Sequence, residues 1–210
     1  MDDLLGNISE NKKNELLKIF KADTFIFKKD STILNILKQN NIIVYIEYGH
    51  IEIIRNDYDG NTTIIENLKD HSTFSNITSF ISSNDYEIIT KEDSKIIVFD
   101  YDNIINYNAY FKPYNIFIKN LLNILANKTL EKTERLEVIT KKTIRDKLLE
   151  YFEIISKKNG SKKIVLSSSF TKLAEYLGVD RSSMSRELNS LKKEGFIDIK
   201  GRKITLKYKM

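Results

Sequence analysis

Arginine, serine and asparagine recur between Asp180 and Leu191, where Arg181, Ser182, Ser185, Arg186 and Asn189 are interleaved with Met184, Leu188 and Leu191. The three apolar residues fall at i, i+4 and i+7, so on a helix they share one face and leave the polar set pointing outward. Guanidinium forks, hydroxyls and a carboxamide are the groups that match base edges and phosphate oxygens of a DNA duplex, with bidentate arginine to guanine the commonest specific contact. Ser183 and Ser185 suit phosphate contacts equally well, and such contacts fix register without reading bases. Amphipathic helices with basic outer faces also occur in proteins that never touch nucleic acid, so the flanking elements decide between the readings.

Those elements form a pattern. Ser168 or Ser169 can cap a preceding helix in which Leu173, Ala174 and Leu177 recur at helical spacing, and Gly178 supplies the left-handed turn that ends it. Asp180 then caps the second helix, and the small Ala174 lets the two helices approach across a short turn, as a helix-turn-helix requires. Beyond it, Phe196 to Ile199 and Lys203 to Leu206 are short alternating runs joined at Gly201, a hairpin whose basic tip places Arg202 and Lys203 within reach of a phosphate. Helix-turn-helix and basic wing together predict a unit that binds double-stranded DNA.

Charge is distributed accordingly. From Lys141 onward there are 18 basic and 8 acidic residues, against 16 basic and 21 acidic before it. A basic C-terminal part concentrates attraction for phosphates, whereas the acidic N-terminal part is repelled from the same duplex. A lysine-rich solvated surface alone would not produce this asymmetry. With 210 residues and 41% hydrophobic content, the chain can bury one large or two small cores, and the charge split favours two domains. No run of eighteen apolar residues and no N-terminal signal pattern is present, so no membrane partner is expected and the expected location is cytoplasmic. The absence of cysteine excludes disulfides, thiolate zinc sites and cysteine-ligated iron–sulfur clusters. His50 and His71 are the only histidines, a poor supply for metal chemistry.

The preceding chain is read as the scaffold. Runs beginning at Ile42, Ile51, Thr62, Tyr86 and Ile96 are short, β-branched or aromatic, and separated by turn signals such as Tyr48-Gly49 and Asp59-Gly60. Their close spacing predicts a sandwich or barrel. Lys12 to Phe20 reads as a short amphipathic helix with Leu16, Leu17 and Phe20 on one side. Pro113, the single proline, is placed to begin a long helix from about Tyr114 to Thr140. Along it Ile118, Leu122, Leu125, Thr129, Leu136 and Ile139 follow spacings of three and four, interrupted by Lys132. This spacing predicts a dimerisation seam; an ordinary helix packed on its own β-domain is the alternative. The expected domains are 1–112, the helix 113–140, and 141–210.

This order of parts resembles the Crp/Fnr transcription regulators over nearly the whole chain. The resemblance is strongest over GVDRSSMSRELNSLKKEGFIDIKGRKI, where Arg181 and Arg186 match two family arginines that contact DNA. It implies an α+β fold with a jelly-roll-like double-stranded β-helix domain, a central dimerisation helix and a winged helix-turn-helix. It also implies a bacterial homodimer on an inverted-repeat DNA site, with RNA polymerase as a further partner if the protein activates. The position after Arg181, often a glutamate that reads cytosine in the family, is Ser182, which departs from the family's commonest half-site.

In the β-domain the resemblance is one of strand pattern. Members that bind cyclic nucleotides carry a phosphate cassette, and the aligned residues here are Ser75, Asn76 and Ile77, then Tyr86 and Glu87 where an arginine and a hydroxyl residue should sit. Without the arginine, and with a carboxylate in its neighbourhood, cyclic AMP and cyclic GMP are not expected to bind. Haem would require His50 or His71 as axial ligand; His71 aligns with a family glycine and reads as a surface residue, and His50 beside Gly49 as a turn residue. No cofactor is therefore expected. What remains is an unidentified small-molecule effector near Phe74, Ser75, Asn76, Tyr86 and Glu87, with Tyr45 and Phe99 as further aromatic candidates that could equally fill the core, or no effector at all. Two other functions stay open at this point. Double-stranded β-helix folds also house cupin metalloenzymes, although His50 with Glu52 supplies too few ligands. A constitutive DNA-binding protein with a degenerate sensor domain would share the DNA contacts.

Overall fold

The stretch Ile42–Tyr48 is apolar at five successive positions and buried at all five, so it must be covered on both faces. In the computed structural model, which describes residues 3–33, 41–58, 62–76, 85–107 and 110–208, this requirement organises the first of two compact units, Met1–Ala126. Helix α1 (Glu10–Ile19) is followed by strands β1 (Asp23–Phe27), β2 (Ile42–Tyr48), β3 (Ile51–Asn56), β4 (Thr62–Leu68), β5 (Thr73–Asn76), β6 (Tyr86–Thr90) and β7 (Ser94–Asp100), then the short helix α2 (Tyr101–Ile105). The strands form two antiparallel sheets, in the orders β1-β7-β2-β5 and β4-β3-β6.

Alternation along β2 and β7 divides the interior. Ile42, Val44, Ile46, Ile96 and Val98 join Ile51 and Ile53 of β3 and Ile88 of β6 in one cluster between the sheets. Ile43, Tyr45, Ile97 and Phe99 point the other way, into a second cluster completed by Leu4, Leu16, Phe20, Ile104, Phe117 and Ile124. Helix α1, the N-terminal residues and the start of the long helix thus roof the outer face of the four-stranded sheet. Gly49 turns β2 into β3 at φ 111°, and an added Cβ would lie 2.7 Å from the Ser94 Cα, so both backbone angle and space require glycine there. The Asp59-Gly60 turn signal lies outside the described residues.

Helix α3 (Lys112–Ile139) spans 28 residues with Pro113 in its first turn, and its course carries the chain into the second unit, Asn127–Met210. There follow α4 (Ile144–Asn159), β8 (Lys163–Val165), α5 (Phe170–Leu177), α6 (Arg181–Lys193), β9 (Ile197–Lys200) and β10 (Lys203–Leu206). One cluster holds this unit together: Val138, Leu148, Phe152, Leu173, Ala174, Leu177, Met184, Leu188 and Leu191 from the helices pack on Ile164, Ile197, Ile204 and Leu206 from the sheet. The wing is a three-stranded sheet, β8-β10-β9, rather than the two-stranded hairpin expected, because Lys163 to Val165 pair with the free edge of β10. Pairing that edge removes a row of unsatisfied backbone groups. Each helix of the unit after α3 has a local start signal: the side chains of Thr143, Ser169 and Asp180 accept hydrogen bonds from Asp146, Lys172 and Ser183 N–H groups.

Candidate nucleic-acid interface

Helix α6 sits with Met184, Leu188 and Leu191 buried, and this choice of face leaves Arg181, Ser182, Ser185, Arg186 and Asn189 exposed and Ser183 half-buried. The turn before it is set by Gly178 at φ 62°, where the chain reverses out of α5. Asp180 Oδ1 accepts from the Ser182 hydroxyl at 2.7 Å and from the Ser183 N–H at 2.8 Å, and these bonds hold its carboxyl down at about 2. Its negative charge at the helix start also complements the macrodipole. One consequence falls on Ser182: its proton is committed to the cap, so it offers lone pairs rather than a donor to a ligand. The Arg186 guanidinium donates to Ser183 Oγ at 3.0 Å, which steadies it along the helix and leaves four of its five N–H donors for a partner.

Beside this helix, Gly201 at φ 58° takes the first of two loop positions between β9 and β10, and Arg202 and Lys203 are exposed on the wing. Lys192 ties helix to wing by donating to the Ile199 carbonyl at 3.3 Å. Between them lies a shallow cleft of about 180 Å³ lined by Arg181, Ser185 and Asn189, with Met184, Leu188, Phe170 and Ile199. Phe170 and Ile199 were not singled out from sequence. Phe170 extends the Leu173, Ala174 and Leu177 stripe by one turn, and that spacing was the available signal.

Four cations elsewhere in the unit meet carboxylates. Lys141 pairs with Glu150, Lys158 with Glu134, Lys157 with Glu153, and Arg145 with Glu187 and Glu194. Among the described residues, none of Arg181, Arg186, Arg202 and Lys203 is paired with a carboxylate. Four cations without internal counter-ions, on a helix and a wing held to one core, form a surface complementary to phosphates.

The residues proposed for an effector pocket are only partly brought together. Phe74 is buried between the sheets and Tyr86 packs half-buried against the same cluster, with the Arg55 guanidinium 6.0 Å from its ring centroid. Glu87 accepts from the Asn56 side chain at 2.8 Å. Ser75, one residue beyond Phe74 on a strand, is exposed. The side chain of Asn76, and Ile77 altogether, lie outside the described residues. Tyr45 and Phe99 do not join this group: strand alternation turns them to the opposite face of the four-stranded sheet, where both are core.

The histidines are tied to neighbouring side chains. His71 stands at φ 65°, a left-handed position that accounts for the glycine expected there, and its Nδ1 lies 2.7 Å from the Tyr45 hydroxyl. That hydroxyl donates to Asp3 at 2.8 Å, and burial, followed by the adjacent carboxylate, pushes its pKa up. His50 Nε2 is 2.9 Å from Asn67 Oδ1. Among the described residues no three histidine or carboxylate side chains converge as a metal site would require.

Along α3, Ile118 is half-buried against the core of the first unit, while Leu122, Leu125 and Leu136 are 60%, 45% and 56% exposed and Thr129 is exposed as well. The helix therefore buries Phe117, Ile124 and Val138 within its own chain and leaves the leucine stripe outside.

Residues 127–209 match the family model of the Crp-like helix-turn-helix domain. A Porphyra purpurea chain named for an HTH-type transcriptional regulator, ycf28, is 24% identical over 183 residues, which are 81% of this chain and 76% of that one. Among solved structures, CprK complexed with OCPA superposes with a TM-score of 0.66 at 17% identity, covering 91% of this chain and 88% of its own. A CooA mutant from Carboxydothermus hydrogenoformans gives 0.62 at 20% identity, covering 98% and 92%. At such identities the structures speak for the fold, an α+β chain with an N-terminal β-sheet domain, a long central helix and a C-terminal helix-turn-helix. Nothing in these likenesses supports an enzyme. Residues 127–209 are thus a Crp-like helix-turn-helix domain, in a chain that shares its fold with CprK and CooA, and the protein is a DNA-binding transcription regulator.

Proposed function

We propose that two copies of the chain bind an inverted-repeat DNA site, with the recognition helices inserted in successive major grooves. The observation that carries this reading is the group of unpaired cations on α6 and the wing. Arg181 and Arg186, exposed on the recognition helix, read base edges; Asn189 is the further candidate for base contact. Ser183, Ser185, Arg202 and Lys203 hold phosphates, and Ser182 takes part through its lone pairs. The exposed Leu122, Leu125, Thr129 and Leu136 supply the dimer seam, an apolar stripe that a second copy of the same helix would cover. Ile118 contributes at its edge.

The protein works in the cytoplasm, meets RNA polymerase if it activates, and answers a signal other than a cyclic nucleotide, or none. The Glu87 carboxylate, next to Tyr86 where a cyclic phosphate would need a cation, supports that exclusion. A small-molecule effector in the β-unit is favoured by Phe74 and Tyr86, two aromatics of the inter-sheet cluster, with the Arg55 cation against the Tyr86 ring. CprK, a fold relative, is a chain complexed with OCPA.

The test is selection of bound duplexes from a random pool by the wild-type protein. Two inverted half-sites with centres about 34 Å apart, or a multiple of it, are the expected result. A single half-site bound by one chain, or no enriched sequence, would overturn the reading.

A further inference from the structure

Two charges in the second unit stand at the wrong ends of their helices. Arg145 is the second residue of α4, where the positive end of the macrodipole disfavours a cation, and Glu194 is the C-cap of α6, where the negative end disfavours a carboxylate. Local rules broken in pairs point to a purpose that outweighs them. The two side chains meet: Arg145 Nη2 is paired with Glu194 Oε2, and Nη1 lies 3.7 Å from Glu187 Oε1. Its guanidinium also sits 5.2 Å from the ring centroid of Phe196, the residue that leads into β9.

Glu187 and Glu194 are seven residues apart and therefore share one flank of α6, roughly opposite the flank that carries Arg181, Ser185 and Asn189. Glu187 Oε1 is buried without a hydrogen bond, and the Arg145 guanidinium is the cation that faces it. Glu194 is further fixed by the Ser190 hydroxyl at 2.8 Å, and these partners hold its carboxyl below the usual range, Arg145 first. One guanidinium thus grips the recognition helix at two places a full two turns apart, and the start of the wing at a third.

We propose that Arg145 is a positioning residue for DNA recognition: from α4 it sets the angle at which α6 and the wing are presented together. This rests on the reading of α6 as the recognition helix. Exposed ion pairs contribute little to stability, and Arg145, Glu187 and Glu194 are each about a third exposed, so the cluster's effect is expected in binding geometry rather than in folding.

The test uses full-length protein, the duplex selected by the wild type, and a scrambled duplex of equal length. Glu194→Gln removes a negative charge near the DNA-facing unit. Electrostatics alone would make it bind both duplexes more tightly. Positioning predicts the opposite on the selected duplex, a loss on the order of fivefold to tenfold, with binding to the scrambled duplex undiminished and the thermal midpoint nearly unchanged. The double variant Arg145→Ala with Glu194→Gln should lose no more affinity for the selected duplex than Arg145→Ala alone, because both changes act through one contact. Equal tightening on both duplexes, or additive losses in the double variant, overturns the proposal. If the wild type selects no duplex at all, the recognition-helix reading fails and the proposal falls with it, an outcome distinct from a wild type that selects a duplex and variants that show no selective loss.

Discussion

The β-unit and the winged-helix unit are built from the same apolar residue types, yet they differ in what their cores leave outside. In the first, β2 and β7 are buried on both faces, so nearly every position of these two strands is spent on packing, and polar groups are tied to each other, as in Asp3–Tyr45–His71 and Asn56–Glu87. In the second, each helix buries a single stripe and exposes the rest. On α6 the exposed remainder includes two arginines that, among the described residues, pair with no carboxylate. Cations so placed are an electrostatic demand that a phosphate backbone meets. Function is therefore sought on the exposed faces of the second unit.

The first unit nevertheless leaves Leu122 and Leu125 of α3 exposed. Replacing Leu122 and Leu125 together by arginine leaves Phe117 and Ile124 to hold the helix on its own core, so the chain should stay folded while losing its partner. Linked recognition gains about 10² to 10⁴ in affinity over a single module, and that factor should vanish. Sedimentation and duplex titration on the same sample check it; a double variant that remains dimeric would show that the seam lies elsewhere.

Because the Asp180 carboxyl is held at about 2 by Ser182 and Ser183, below its ordinary 3.8, its cap stabilises α6 fully above about pH 4. That contribution declines as pH falls through about 2. Asp180→Asn keeps an acceptor at the cap without the titration. Acid unfolding followed by circular dichroism should therefore show the variant less acid-sensitive than the wild type in that window. Superimposable acid curves would mean that the cap bonds do not persist in solution.

How much of this was legible in the sequence follows from the range of the interactions involved. Ser169, Gly178 and Asp180 act within three residues of themselves, so the helix-turn-helix could be read residue by residue and the structure places it there. The leucine stripe of α3 was legible for the same reason, as a periodicity. Helix α4 was not anticipated, and β8 is only three residues long, forming because β10 offers an edge far away in sequence. The grip of Arg145 on Glu187 and Glu194 spans more than forty positions, beyond any spacing rule. In the β-unit, which aromatic faces which cluster depends on strand register, and register put Tyr45 and Phe99 on the face away from Phe74.

The central claim is that α6 reads bases while the wing holds phosphates. It is tested most directly by comparing sequence-preference profiles of the wild type, Arg186→Ala and Lys203→Ala, each selected from the same random duplex pool. Arg186→Ala should lose about 1–3 kcal/mol of discrimination at one position in each half-site. Lys203→Ala should keep the wild-type profile and weaken binding evenly across sequences. An Arg186→Ala profile identical to that of the wild type would contradict it.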